Sequence, residues 1–339
     1  LRETPPAIFQ KMEVFPVKAL SLLLLVLLAS TGLSMLVVYS YDSFVPLALE
    51  TFEEFTLKTG IEVKLKTLSD SGSLVNYIVS MGEKFDGDVV IGIDNLLSRK
   101  AFEADIFLPY KPAGSENLIS QDLIFDPLWR LTPYDYGAIA LIYDSQSITS
   151  KIESLQDLTD GKFKKALILQ DPRTSSTGLA FLSWTYLLFG EDFEQFWRAL
   201  KPSILTITLG WDDSFEKFEA GEAPIMVSYA TDGAYSAHYY GQSLYSVLIP
   251  QGKGYVQIEG AGIVRWTDNP EEAGMFLDFL LSPDFQRHVP LNQWMFPVIE
   301  VEMPAVFQYA VKPSTILKLP PEVELEELIG KWERIIYEK

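Results

Sequence analysis

Cysteine is missing from all 339 residues. That excludes disulfides, thiolate-bound zinc, a thiol nucleophile and a lipid-bearing cysteine behind a leader. Histidine is nearly as scarce, and its two copies leave little for metal or triad chemistry. Positive charge is also in deficit. Lys and Arg number 27 against 46 Asp and Glu, a formal net charge of −19, and such a field repels a phosphate backbone and an anionic membrane surface alike. Nucleic acid is therefore not an expected partner. Gly (21) and Pro (20) are too few for a fibrous or low-complexity chain, and no fixed-period repeat or flexible linker is visible. What the chain does have is core material: 48% hydrophobic and 22% charged residues match a globular average. The length suits roughly two domains of about 100 to 200 residues.

Residues 1–35 differ in kind from the rest. Lys11 and Lys18 precede the run ALSLLLLVLLA (19–29), and the small, polar Ser30, Thr31 and Gly32 follow it. This is a secretory signal pattern. The run has no polar face, unlike a core helix, and is shorter than the roughly 20 residues that span a bilayer. Extended through Leu33, it also reads as a retained anchor. The expected location is outside the cytoplasm, on the periplasmic or extracellular face of the membrane.

From Leu36 onward, stretches of period two alternate with stretches of period 3.6. LVVYS, IEVKLKTL and DVVIGI read as strands, with helices at 46–58, 73–81 and 96–104. Such alternation predicts an α/β fold with a parallel sheet covered on both faces. Residues 105–134 look irregular. A second series begins with YGAIALIYD (136–144), continues through ALILQD, ILTITLG and PIMVSY with helices at 177–189, 193–200 and 215–220, and returns along YVQIEGAGIV. Two short helices at about 270–288 and a charged amphipathic helix from about Glu322 complete the pattern. Two α/β units joined by extended strands suggest two lobes hinged about a cleft.

Ligands in open α/β sheets sit beyond the carboxyl ends of strands, so the loops there carry the search. Asp70, Ser71 and their neighbours lead into one helix, and Arg173, Thr174, Ser175 and Ser176 into another. Both stretches suit an anion or a polar ligand atom at a helix N-terminus, and both also suit plain N-caps. Arg173 adds a cation that favours an anion site. Trp211, Tyr229, Tyr235 and Trp294 fall in the expected loops, near the carboxylates Asp42, Asp70, Asp212 and Asp232. Rings and carboxylates together suit a flat, cationic organic ligand; the alternative is that the rings pack loops onto the core.

At these segments the chain resembles the thiamine-binding periplasmic proteins of ABC transporters. The resemblance runs in order through YSYDSF (39–44), GDVVIGIDN (87–95), PYDYGAIALIYD (133–144), QDPRTSSTGL (170–179), LGWDDSFEKFEAGE (209–222), MVSYATDGAY (226–235) and NQWMFPV (292–298), and covers residues 36–315. It implies a two-lobed periplasmic-binding-protein fold of type II, with crossover strands joining the lobes around the cleft. Residues 36–134 and 256–305 would form the first lobe, 135–255 the second, and 306–339 a C-terminal segment with a closing helix. By the same resemblance Tyr41, Tyr235 and Trp294 would frame the ligand's rings. Asp70, Ser71, Ser175, Trp211, Tyr229, Ala230, Thr231 and Asp232 would supply further contacts. Asp232 stands where the family carries a hydroxyl residue, a departure that disfavours a phosphorylated ligand. The implied role is capture of thiamine for delivery to an ABC transporter permease, with no catalytic residue, no bound metal and no cofactor.

Two rival readings use the same fold. Thiamine-degrading enzymes resemble these binding proteins but use a cysteine nucleophile, which this chain lacks. Paired carboxylates such as Asp212 and Asp213 are adjacent on one loop, where they more often share solvent than a proton. A ferric-ion binder is the other rival, because Tyr239 and Tyr240 form a Tyr-Tyr pair like that of some iron-binding relatives. A polyamine binder would share the fold as well.

Overall fold

The computed structural model describes residues 35–148 and 151–338, so the expected leader lies outside the described residues. Strand β1 (Met35–Tyr41) is followed by α1 (Val45–Thr59), β2 (Glu62–Leu68), α2 (Ser71–Met81), β3 (Val89–Asp94), α3 (Ser98–Glu103) and the short β4 (Phe107–Leu108). The long β5 (Thr132–Asp144) leads to β6 (Leu167–Gln170), α4 (Ser176–Phe189), α5 (Phe193–Leu200), β7 (Ile204–Thr208), α6 (Trp211–Glu219), β8 (Ile225–Tyr229), α7 (Asp232–Tyr240) and β9 (Tyr245–Leu248). The equally long β10 (Lys253–Val264) then returns, ahead of α8 (Pro270–Leu280), α9 (Pro283–Gln286), α10 (Val289–Asn292), β11 (Phe296–Pro297), β12 (Thr315–Leu317) and α11 (Leu325–Tyr337). Among the described residues, no helix is long and apolar enough to cross a membrane.

The sheet is mixed, which corrects the expected parallel one. Its order is β2-β1-β3-β10-β5-β8-β6-β7. Strand β1 is parallel to β2 and β3, and β6 is parallel to β7 and β8. However, β10 runs antiparallel to both β3 and β5, and β5 runs antiparallel to β8. The return stretch after the second βα series enters the middle of the sheet from the opposite direction, an arrangement that hydrophobic periodicity does not encode. Strands β5 and β10 are long because each serves both halves of the molecule.

The helix boundaries have local causes. Gly60, at φ +76, ends α1 in the left-handed conformation that glycine adopts without cost. Helix α6 starts at Trp211, four residues before the expected 215, and carries Asp212 and Asp213 in its first turn, where the helix dipole favours them. Tyr235, expected in a loop, lies in α7, which has Asp232 in its first turn and Gly241 at φ +71 after its last. Of the four rings expected in loops, only Trp294 occupies a turn, at φ +56.

The core of the second half centres on Phe181, Trp184 and Trp197, all almost fully buried, and Trp332 of α11 closes over it. Each such ring contributes about 1.5 to 3 kcal/mol or more through burial. Arg173 fixes the same helix: it forms ion pairs with Asp171 and Glu333 and donates to the Tyr337 hydroxyl at 3.0 Å. The expected anion site at Arg173 is therefore corrected, because the chain's own carboxylates neutralise it.

Candidate functional site

The carboxyl ends of the strands converge on a cavity of about 40 Å³ between the two halves of the sheet. Tyr41, Ser43 and Asp70 line it from one half; Ser176, Thr177, Trp211, Tyr229 and Asp232 line it from the other. Glu259 of β10 and the turn residues Gln293, Trp294 and Met295 complete the wall. Small-molecule sites usually start near 300 Å³, so the two halves leave room here for little more than a water-sized group.

Asp70 shows how they shut. Its carboxylate reaches across the cleft and accepts from the Ser176 N–H at 2.9 Å and the Trp211 N–H at 3.1 Å, the first residues of α4 and α6. Two helix dipoles thus share one carboxylate. Burial nevertheless pushes its pKa up to about 6, against these hydrogen bonds. Beside it the Ser73 N–H donates to the Thr174 carbonyl at 2.9 Å, and the Asn76 amide to the Arg173 carbonyl at 3.1 Å.

The aromatic wall comes from α6, β8, α7 and the turn that carries Trp294. Trp211 stacks on Phe215, with centroids 4.6 Å apart, and its indole N–H donates to Ser228 at 2.9 Å. The Tyr229 hydroxyl lies 3.1 Å from that of Thr177. Tyr235 meets Trp294 edge-on at 5.1 Å, and Trp294 lies parallel to Phe307. Asp232 lines the cavity beside these rings, buried, with one carboxylate oxygen lacking any hydrogen-bond partner. Burial pushes its pKa up to about 7, although Ser228 and the Tyr229 N–H favour the charged form.

The cavity therefore brings together six of the eleven sequence-predicted residues: Tyr41, Asp70, Trp211, Tyr229, Asp232 and Trp294. The other five stand just behind. Tyr235 packs against Phe215 and Trp294 without lining the cavity. Ser175 is the N-cap of α4, accepting from the Gly178 N–H. Ser71 is buried, and its hydroxyl has no partner. The Ala230 backbone bonds to Ala138 and Val311, and the Thr231 carbonyl accepts from Ala234 and Tyr235 inside α7. Tyr239 and Tyr240, the proposed iron ligands, do not line the cavity: both are exposed, and the Tyr240 hydroxyl donates to Glu219. Among the described residues, no group of three or more His, Asp or Glu is placed to hold a metal ion.

Ser43, Ser176 and Thr177 stood in the hydroxyl-rich strand-end stretches but not among the expected contacts, and sequence reasoning missed Glu259, Gln293 and Met295 altogether. Ser176 and Thr177 share the helix start with Ser175, and Gln293 and Met295 flank Trp294, so adjacency was an available signal. Glu259 carried a different one, an acid inside the otherwise apolar strand YVQIEGAGIV.

A second concavity lies on the other face of the crossover strands. It measures about 720 Å³ and is lined mainly by apolar residues, among them Leu123, Tyr136, Val256, Ile258 and Phe296, under a strap at 311–319.

Residues 87–319 match the bacterial extracellular solute-binding protein family. The chain belongs to that family. It is 32% identical over 331 residues to the thiamine-binding periplasmic protein of Salmonella typhimurium, covering 94% of this chain and 98% of that one. The protein of the same name from Brucella melitensis is 33% identical over 320 residues, covering 90% and 94%. Among solved structures, a periplasmic thiamin binding protein superposes with a TM-score of 0.84 at 31% identity, covering 89% of this chain and 96% of that one. A periplasmic binding protein from Actinobacillus pleuropneumoniae with fructose-6-phosphate bound gives 0.76 at 18% identity over 89% and 96%, a likeness of fold alone. This solute-binding protein has the two-lobed type II fold and belongs with the thiamine-binding periplasmic proteins, which are transport components rather than enzymes.

Proposed function

We propose that this solute-binding protein captures thiamine in the cleft, outside the cytoplasm, and hands it to the permease of an ABC transporter. One observation carries the ligand: the cavity is lined by aromatic rings and by Asp70, Asp232 and Glu259, and among the described residues no Lys, Arg or His lines it. Such a wall suits a flat organic cation, which gains from stacking, cation–π contact and countercharge together. Thiamine is cargo, so no cofactor or bound metal is needed. The name shared by the relatives at 32–33% identity supports the same ligand.

Binding works by closure. The moving bodies are residues 36–134 with 256–305, and residues 135–255, turning about β5 and β10, while 306–339 spans the back. Each lobe supplies part of the surface, so ligand stabilises the shut form by its differential affinity for the two states. Within the cleft, Asp232 faces the hydroxyethyl tail. Its carboxylate would repel a phosphate there, so thiamine binds more tightly than its pyrophosphate, and Asp232→Ser narrows the gap. The leader either is cleaved or holds the protein at the membrane.

Isothermal titration of the chain from residue 36 tests this reading. Thiamine should release heat, quench tryptophan fluorescence and raise the melting temperature by mass action. Silence toward thiamine at millimolar concentration, with a response to ferric ion or a polyamine, would overturn it.

A further inference from the structure

Glu259 sits where β10 is bulged. Its pairing shifts register between Glu259 and Gly260 against β5, and between Gly260 and Ala261 against β3. A bulge re-aims a side chain, and Gly260 permits this one, since a Cβ there would lie 2.8 Å from the Phe125 ring. The carboxylate so aimed is buried and lines the cleft cavity from the crossover strand, between the lobes.

Three side chains donate to it: the Tyr41 and Tyr134 hydroxyls to one oxygen, the Gln257 amide to the other at 3.0 Å. Tyr41 gets there across β3 because Gly92, at φ +98, has no side chain in the way; a Cβ on Gly92 would lie within 2.4 Å of the Tyr41 ring. Gln293 in turn donates to the Tyr41 hydroxyl at 2.6 Å. The groups around Glu259 are otherwise acidic or neutral: Asp94 from β3, Asp135 and Tyr134 from β5, Tyr41 from β1 and Asp70 ahead of α2. Asp135 is fully buried beside Glu259, and neither of its oxygens has a hydrogen-bond donor, so it keeps its proton. Glu259, with three donors, is the member of the pair that ionises.

A buried carboxylate that is solvated by donors but faces no protein cation is costly unless a cation arrives from elsewhere. Asp70 is committed to the two helix starts. Asp232, from the other half, lines the same cavity and keeps one buried oxygen without a partner.

We infer that Glu259 is a ligand-binding residue, the countercharge that the thiazolium ring meets on the cleft floor. This rests on the thiamine reading and deepens it. The test compares thiamine with deazathiamine, the uncharged isostere in which carbon replaces the ring nitrogen. By isothermal titration, wild-type protein should bind thiamine at least tenfold more tightly than the isostere. Glu259→Gln, which keeps an acceptor for both tyrosine hydroxyls, should weaken thiamine at least tenfold and the isostere less than twofold. If the variant weakens both ligands equally, Glu259 merely holds Tyr41 and Tyr134, and the inference is overturned; it is also overturned if neither weakens. Should the variant not fold, equal wild-type affinity for the two ligands overturns it alone. A wild type that binds neither ligand removes the thiamine reading and this inference together.

Discussion

The cleft and the back groove lie on opposite faces of the same two strands. Side chains along β10 alternate, so Gln257 and Glu259 turn toward the cleft while Val256 and Ile258 line the groove. The cleft is the smaller space by far, about 40 Å³ against 720 Å³, yet it holds the carboxylates, the rings and the unpartnered buried oxygens of Asp232 and Gln293. The groove is larger and mostly apolar. Its charged groups, such as Lys318 paired with Asp122, sit at the rim. Volume alone would choose the groove, whereas the carboxylates and rings choose the cleft.

The largest expected effect tests what holds the front shut. Asp70→Ala removes the acceptor shared by α4 and α6 and should weaken thiamine binding by about 3 kcal/mol, roughly a hundredfold. A loss under threefold by titration would show that closure does not depend on this carboxylate. Next, Trp294→Ala and Tyr235→Ala should each cost about 1 to 3 kcal/mol of affinity while leaving the melting of the ligand-free protein nearly unchanged. If instead they lower stability by about 3 to 5 kcal/mol and bind thiamine normally when cooled, the rings are packing and not recognition.

A smaller effect concerns pH. Burial holds Asp70 near 6 and Asp94, Asp232 and Glu259 near 7, all above their ordinary values. The folded state therefore binds more protons than the unfolded one between about pH 4 and 7. The stability contributed by these groups is complete below that window and is lost as pH rises through it. Ligand-free protein should melt higher at pH 5 than at pH 8, by about 2 to 4 °C per kcal/mol of linkage, and scanning calorimetry checks the sign. The smallest effect belongs to the groove. Ile316→Asp and Lys312→Ala should leave thiamine affinity within about twofold; a loss as large as that of Trp294→Ala would make the groove a second site.

Most elements were legible because their periodicity is clean, as in β1, β3 and α4. The start of α6 was read late because WDDS looks polar, although two acids in a first turn are themselves a start signal. Strand direction was not legible. Nothing in YVQIEGAGIV says that it enters antiparallel between β3 and β5, because direction follows from the path of the intervening chain. Of the site, the rings and Asp70 stood at strand ends, where function was sought. Glu259 stood inside a strand, where an apolar pattern reads as core, and the alternation that it shares with Gln257 turns it toward the cleft.

The placement of β10 has a consequence for how the chain folds. It fills the gap between β3 and β5 but is made after the whole second lobe. Until it emerges, β3 has an unpaired edge, and the first lobe cannot complete its sheet however fast α1 and α2 form. The contact that finishes that lobe is among the most distant in sequence, so its folding must wait until most of the polypeptide has been synthesised.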